Sequence, residues 1–134
     1  MPIFGSKNQM AKSGKTALRI LVVDDEAAVC RAIKMLLAHE GHTVEMADSG
    51  ETGLAKFAPG QFDLVITDFL MTGMDGSQFA AEIKARQPGL PVILATASVY
   101  GRNPGDLPSV HVDCLLNKPF TLAELREAII RATH

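Results

Sequence analysis

Apolar and polar positions along this chain follow two alternating rhythms. Short, nearly continuous apolar runs rich in β-branched residues alternate with longer stretches in which apolar residues return every three or four positions. The first pattern is that of a strand buried on both faces, the second that of an amphipathic helix. The apolar runs are Leu18 to Val23, Thr43 to Ala47, a third starting at Phe62 and stopping at Asp68, Pro91 to Ala95, and Val110 to Leu116. Val29, Ala32, Ile33, Leu36 and Leu37 mark a first helix over about Ala27 to His39, with Gly41 as its C-terminal cap. Asp48-Ser49-Gly50-Glu51 has capping-box spacing and opens a second helix to about Phe57, stopped by Pro59-Gly60. Phe79, Ala80 and Ile83 face inward from a third over about Ser77 to Arg86, ended by Pro88-Gly89. Thr121-Leu122-Ala123-Glu124 is another capping box, opening a last helix to about Ala132 with Leu122, Leu125, Ile129 and Ile130 inward. Strands alternating with helices predict a parallel sheet with right-handed crossovers.

Two stretches lie outside this rhythm. Residues 1–17 mix Gly, Ser, Asn and Gln with three lysines and show no apolar period, which predicts a disordered, dispensable tail ahead of one domain at 18–134. Ser13-Gly14-Lys15-Thr16 has the ending of a phosphate-binding loop, but Gln9 stands where that loop needs Gly and no strand precedes it, so the motif is rejected. Residues 100–108 contain Gly101, Pro104, Gly105 and Pro108. An interior Pro opposes helix by about 3 kcal/mol and a Gly by about 1 kcal/mol, so no regular helix of two turns is predicted there.

The ends of the strands carry the chemistry. In an open parallel sheet all carboxyl ends share one edge, and ligands bind in the crevice beyond it. The first strand delivers Asp24 and Asp25 to that edge, the third Asp68, the fourth Thr96 and the fifth Lys118. Each alone reads as a solubilising or helix-starting residue; their coincidence at four strand ends does not. Crowded carboxylates repel, which raises the cost of ionising them. A hard divalent cation relieves that repulsion, and Mg²⁺ suits a sparse oxygen site with retained waters. Lys118 adds a second positive charge. A phosphoryl group entering here would meet both, and a carboxylate can serve as the nucleophile to give an aspartyl phosphate.

Composition narrows the field. The 134 residues, 47% of them hydrophobic, suit one domain with a sizeable core. The net charge of -2 and the absence of a basic run argue against a nucleic-acid partner. No apolar run approaches the roughly 18 residues needed to span a bilayer, and the N-terminus has no signal-peptide core, so a cytoplasmic protein with no membrane partner is expected. Cys30 and Cys114 lie inside apolar patterns as free buried thiols. His39 and His42 have no third ligand beside them and are read as surface residues.

Four segments together, Val23-Asp24-Asp25-Glu26, Asp68-Phe69-Leu70-Met71-Thr72-Gly73-Met74-Asp75-Gly76, Ala95-Thr96-Ala97 and Lys118-Pro119-Phe120, resemble the receiver domain of bacterial two-component response regulators. The similarity runs over about residues 19–132 and is closest in kind to a single-domain chemotaxis receiver. It implies an α/β, flavodoxin-like, doubly wound five-stranded parallel sheet in the order 2-1-3-4-5. It also implies a function in phosphorelay signal transduction: Asp68 accepts a phosphoryl group from a sensor histidine kinase or histidine phosphotransfer protein. Asp25 would bind Mg²⁺ directly, Asp24 mainly through water, and Asp68 and the backbone carbonyl of Leu70 would complete the metal set. Thr96 would turn toward the phosphoryl group, Lys118 would pair with its oxygens, and the Lys118-Pro119 peptide would be cis. The product stays on the chain's own aspartate, so a turnover enzyme is not implied. A downstream protein is the further partner the resemblance implies, and a homodimer is admitted because a loop over residues 100–108 would leave part of the apolar face of the fourth and fifth strands open to self-association.

Departures from the family pattern qualify this picture. Thr72 replaces the usual Pro, Leu115 occupies the usual aromatic switch position, and Leu70 and Ser98 stand where relatives set the lifetime of the phosphoaspartate. Residues 100–108 fall where receivers carry their fourth helix, so that helix is expected to be atypical or missing. The competing reading is a phosphate-independent interaction module with a receiver fold. A Mg²⁺-dependent phosphohydrolase of the haloacid-dehalogenase kind ranks lower, because it wants a second acid where Leu70 stands.

Overall fold

The computed structural model describes residues 17–97 and 111–134. The described residues form five strands, β1 (Arg19–Val23), β2 (Thr43–Ala47), β3 (Leu64–Thr67), β4 (Val92–Thr96) and β5 (Cys114–Asn117). Their four helices are α1 (Ala27–His39), α2 (Gly50–Lys56), α3 (Gly76–Arg86) and α4 (Leu122–Thr133). All strand pairs are parallel and the order is β2-β1-β3-β4-β5, the flavodoxin-like order 2-1-3-4-5. The predicted tail, save Ala17, and the predicted absence of a helix over 100–108 lie outside the described residues. No helix among the described residues is long and apolar enough to cross a membrane.

The period of two along each strand divides the core. Ile20, Val22, Leu64, Ile66 and Ile93 pack with Ile33 and Leu37 of α1 and Leu125 and Ile129 of α4. Leu21, Val23, Val65, Val92 and Leu94 pack on the other face with Phe57 and Phe62 and with Phe79, Ala80 and Ile83 of α3. Each Val, Leu, Ile and Phe side chain among these contributes roughly 1.5–3 kcal/mol by leaving water. Sheet and helices are thereby locked together, and the strand ends are fixed relative to one another.

Several local details differ from the sequence reading. Ser49, not Asp48, caps α2, its Oγ accepting the Thr52 N–H. Asp75 caps α3 in a reciprocal box with Gln78 that the periodicity did not reveal. The Thr121–Glu124 box on α4 is present as expected. In α4 the buried stripe runs through Leu125, Ala128 and Ile129, which leaves Ile130 59% exposed one step around the helix. Ala32 of α1 is likewise exposed, beside a buried stripe of Cys30, Ile33 and Leu37. β5 begins at Cys114 rather than Val110. Asp113 has instead turned its carboxylate to accept the Val92 N–H at 2.8 Å and the Lys84 ammonium at 2.7 Å. Cys30 and Cys114 are free and buried. β2 is an edge strand, where the Lys56 ammonium donates to the Met46 carbonyl at 2.5 Å.

His42 is not a simple surface residue. Half-buried, its Nδ1 accepts the Leu18 N–H at 2.9 Å, and burial holds its pKa below the usual value of 6.5 despite the nearby Glu40. The unfolded chain thus binds the extra proton more readily. The contribution of His42 is present above about pH 6.5 and is lost as the pH falls through the lower folded value. Chemical denaturation of the wild type between pH 7.5 and 5 should therefore show a loss, of at most about 1.4 kcal/mol per pH unit, that His42→Gln lacks. Parallel pH profiles for the two proteins would contradict this.

Candidate functional site

Four strand ends and one loop build the site. Asp24 follows β1 and is only 2% exposed. Its N–H donates to the Ala47 carbonyl, one of its carboxylate oxygens accepts the Glu26 N–H at 2.9 Å, and the other takes the Lys118 ammonium at 2.6 Å. Asp68 follows β3 and is 8% exposed; its N–H donates to the Val23 carbonyl, which extends the β1–β3 pairing to the acid itself. Lys118 Nζ lies 3.3 Å from Asp68 Oδ1, so one ammonium bridges the ends of β1 and β3. The Lys118 N–H donates to the carbonyl of buried Thr96 at 2.9 Å, and the Lys118–Pro119 peptide is cis. Asp25, next to Asp24, is exposed and accepts the Thr72 N–H at 3.2 Å. Oxygens of Asp24, Asp25 and Asp68 all lie within 4.8 Å of one another.

Charge and burial oppose each other here. Burial pushes the Asp68 carboxyl above its usual range; the Lys118 ammonium pulls it back and the Asp24 charge pushes it further up. Burial would lower the pKa of Lys118, but its hydrogen bond to Asp24 and the charges of Asp24 and Asp68 outweigh this and raise it. Lys118 is thus held as a cation. One ammonium still faces three carboxylates, an all-oxygen donor set open on the Asp25 side. That set matches the preference of Mg²⁺ for a few hard oxygens with water completing its shell.

The structure brings together Asp24, Asp25, Asp68 and Lys118, with Thr96 joined through the Lys118 backbone. Leu70 lies on the loop beyond Asp68 with 64% of its surface exposed. Leu115 is half-buried against the α3-side core.

A residue whose role the sequence reading missed is Gly76. Its N–H donates to the Phe69 carbonyl at 2.8 Å, and a Cβ built on it would meet the Asp68 carbonyl oxygen at 2.2 Å. The helix α3 therefore starts hard against the backbone of Asp68. The available signal was a Gly at the start of a helix, where it is only modestly favoured, rather than past its end. The same loop is shaped by Gly73, at φ 81°, and by Met74, whose side chain covers Gly50 of α2.

This geometry has close counterparts. The family described as the response regulator receiver domain matches residues 20–130. The chemotaxis protein CheY-3 of Vibrio cholerae is 35% identical over 115 residues, 84% of this chain and 88% of that protein. The transcriptional regulatory protein GlrR of Escherichia coli is 38% identical over 112 residues, 82% of this chain but 25% of that protein. The chain thus spans a quarter to under half the length of several curated relatives it matches. Among solved structures, the response regulator TrrA of Thermotoga maritima in complex with Mg(2+)-BeF superposes with a TM-score of 0.76 at 38% identity, covering 85% of this chain and 97% of that one. A receiver domain from Clostridium thermocellum gives a TM-score of 0.75 at 34% identity, covering 86% and 93%. Fold, strand-end chemistry and sequence converge on one assignment: the chain belongs to the response regulator receiver-domain family of two-component systems.

Proposed function

We propose that residues 18–134 form a phosphorylatable receiver that takes a phosphoryl group onto Asp68 from a phosphohistidine of a sensor kinase or phosphotransfer protein. The observation that carries this reading is the Lys118 ammonium bridging Asp24 and Asp68 within an open group of three carboxylates. Asp25, Asp68 and the Leu70 carbonyl, with Asp24 mainly through water, would hold Mg²⁺, which would supply positive charge for the oxygens of the transferring group. An oxygen of ionised Asp68 attacks phosphorus, the P–N bond to the donor imidazole breaks, and its electron pair leaves with the imidazole. Lys118 favours the ionised form of Asp68 against the effect of burial and then pairs with the phosphoryl oxygens. The Thr96 hydroxyl, at the next strand end, turns to the same oxygens. An apolar Leu70 has no group to position an attacking water, which favours a long-lived product. The signal then passes to a downstream protein in the cytoplasm, by contacts of the monomer or of a homodimer.

Two outcomes test this on the full chain. Intact mass after incubation with acetyl phosphate and Mg²⁺ should rise by one phosphoryl group in the wild type and not in Asp68→Asn. An unchanged wild-type mass with several donors would favour the phosphate-independent interaction module. In calorimetry, Asp25→Ala should bind Mg²⁺ at least about tenfold more weakly, since disturbing even a residue behind a metal ligand costs that much. Without metal it should be no less stable, because one source of repulsion is gone. Equal Mg²⁺ affinity in the two proteins would remove Asp25 from the metal set.

A further inference from the structure

We infer that the backbone N–H of Thr72 is a positioning group for Asp25, tying the loop beyond Asp68 to the cation site. This rests on the reading of the acidic cluster as a Mg²⁺ site. The three carboxylates are not held alike. Asp24 and Asp68 are buried and share the Lys118 ammonium. Asp25 is exposed, and the hydrogen bond that reaches it from across the fold is that of Thr72, 47 residues away in sequence, at 3.2 Å to Oδ2. A bond from N–H to an ionised carboxylate is stronger than a neutral one and favours the charged form. It also restricts a side chain that would otherwise rotate in solvent, and that ordering otherwise opposes cation binding. A carboxylate accepts several partners, so the Thr72 N–H does not exhaust what Asp25 can offer a cation.

The donor is itself firmly placed. The loop that carries it is closed by the Gly76 N–H on the Phe69 carbonyl and turns through Gly73, with Met74 covering Gly50. Proline, the residue expected at position 72 from the family pattern, has no N–H to give. In this chain the bond therefore links two segments that converge on the site, and the placed loop holds Asp25 where a cation can use it.

The test uses the full chain as wild type, Thr72→Ala, which keeps the amide, and Thr72→Pro, which removes it. Calorimetric titration with Mg²⁺ should give a dissociation constant raised roughly three- to tenfold in Thr72→Pro, the size expected for one such hydrogen bond, and within about twofold of wild type in Thr72→Ala. Amide exchange followed by NMR without metal should show Thr72 exchanging several-fold faster in Asp25→Ala than in wild type. A Thr72→Pro affinity within about twofold of wild type, or tighter, overturns the inference. So does a Thr72→Ala affinity weakened as much as that of Thr72→Pro, or Thr72 exchange that Asp25→Ala leaves unchanged. Should Thr72→Pro fail to fold, the exchange comparison decides alone. Absence of Mg²⁺ binding by the wild type refutes the cation reading and with it the positioning role. The metal-free exchange comparison then still reports whether the bond exists.

Discussion

Gly76→Ala should destabilise the domain by about 3 kcal/mol, the upper part of the range for forcing an extra methyl into a packed site. The added Cβ would lie 2.2 Å from the Asp68 carbonyl oxygen, 2.8 Å from Leu94 Cδ1 and 2.9 Å from Phe69 Cα. Leu94 could rotate away, but the other two contacts are backbone. Relief requires moving the peptide of Asp68 or the first turn of α3, and both are tied in place by the Gly76 hydrogen bond to Phe69 and the Asp75–Gln78 box. Thermal unfolding in metal-free buffer should drop by on the order of 10 °C. Gly89→Ala is the control: nothing lies within 4 Å of its Cβ position, and it should melt close to the wild type. Equal melting of Gly76→Ala and Gly89→Ala would show that the close approach at position 76 is absorbed without cost. A second readout separates packing from chemistry. Because the clash is with the carbonyl of Asp68 itself, whatever Gly76→Ala protein remains folded should also phosphorylate more slowly.

Lys118→Ala should lower the initial rate of phosphorylation by acetyl phosphate roughly 10²–10³-fold, as the loss of one preorganised donor at a developing anion does. Two effects act in the same direction. The phosphoryl oxygens lose their protein cation, and Asp68 loses the charge that offsets its burial, so its pKa climbs further and less of the nucleophile is ionised. Removing one partner of a buried pair strands the other, here two carboxylates, at a cost of about 3–5 kcal/mol. Rates should therefore be compared well below the midpoint of unfolding of the variant. Lys118→Arg should not restore the wild-type rate, because a planar guanidinium cannot replace a compact ammonium 2.6 Å from Asp24 and 3.3 Å from Asp68. A Lys118→Ala rate within about threefold of wild type would sink the role assigned to Lys118.

Much of the frame was legible because it rests on periodicity. The bounds of α1 and β2 coincide with the pattern, and the parallel order puts the ends of β1, β3, β4 and β5 on one edge, as the runs ending at Asp24, Asp68, Thr96 and Lys118 imply. What was not legible depends on contacts between residues far apart in sequence. Where β5 starts, Asp113 reaches β4 with its side chain as well as its backbone and also meets Lys84 of α3, contacts that no local pattern announces. His42 reads as a surface residue until Leu18, 24 positions earlier, is found donating to its ring. Ile130 belongs to the apolar stripe by its spacing from Leu122, Leu125 and Ile129, yet a one-step rotation of α4 puts Ala128 inside instead. The cluster itself could be assembled from strand ends, but not the ranking within it: Asp24 buried under Lys118, Asp25 open to solvent on a tether from Thr72. Burial and partner choice are set by the tertiary fold.

The lysine on the outer strand β2 has a consequence for self-assembly. An edge strand is a template on which another chain can add by backbone pairing, the first step toward a growing fibre. At this edge the Met46 carbonyl already accepts the Lys56 ammonium, and the exposed Thr43 and Glu45 alternate along the strand. An incoming strand would have to displace a cation and leave it without that partner. This margin of the sheet thus carries a plug that discourages the open-ended addition of strands at β2.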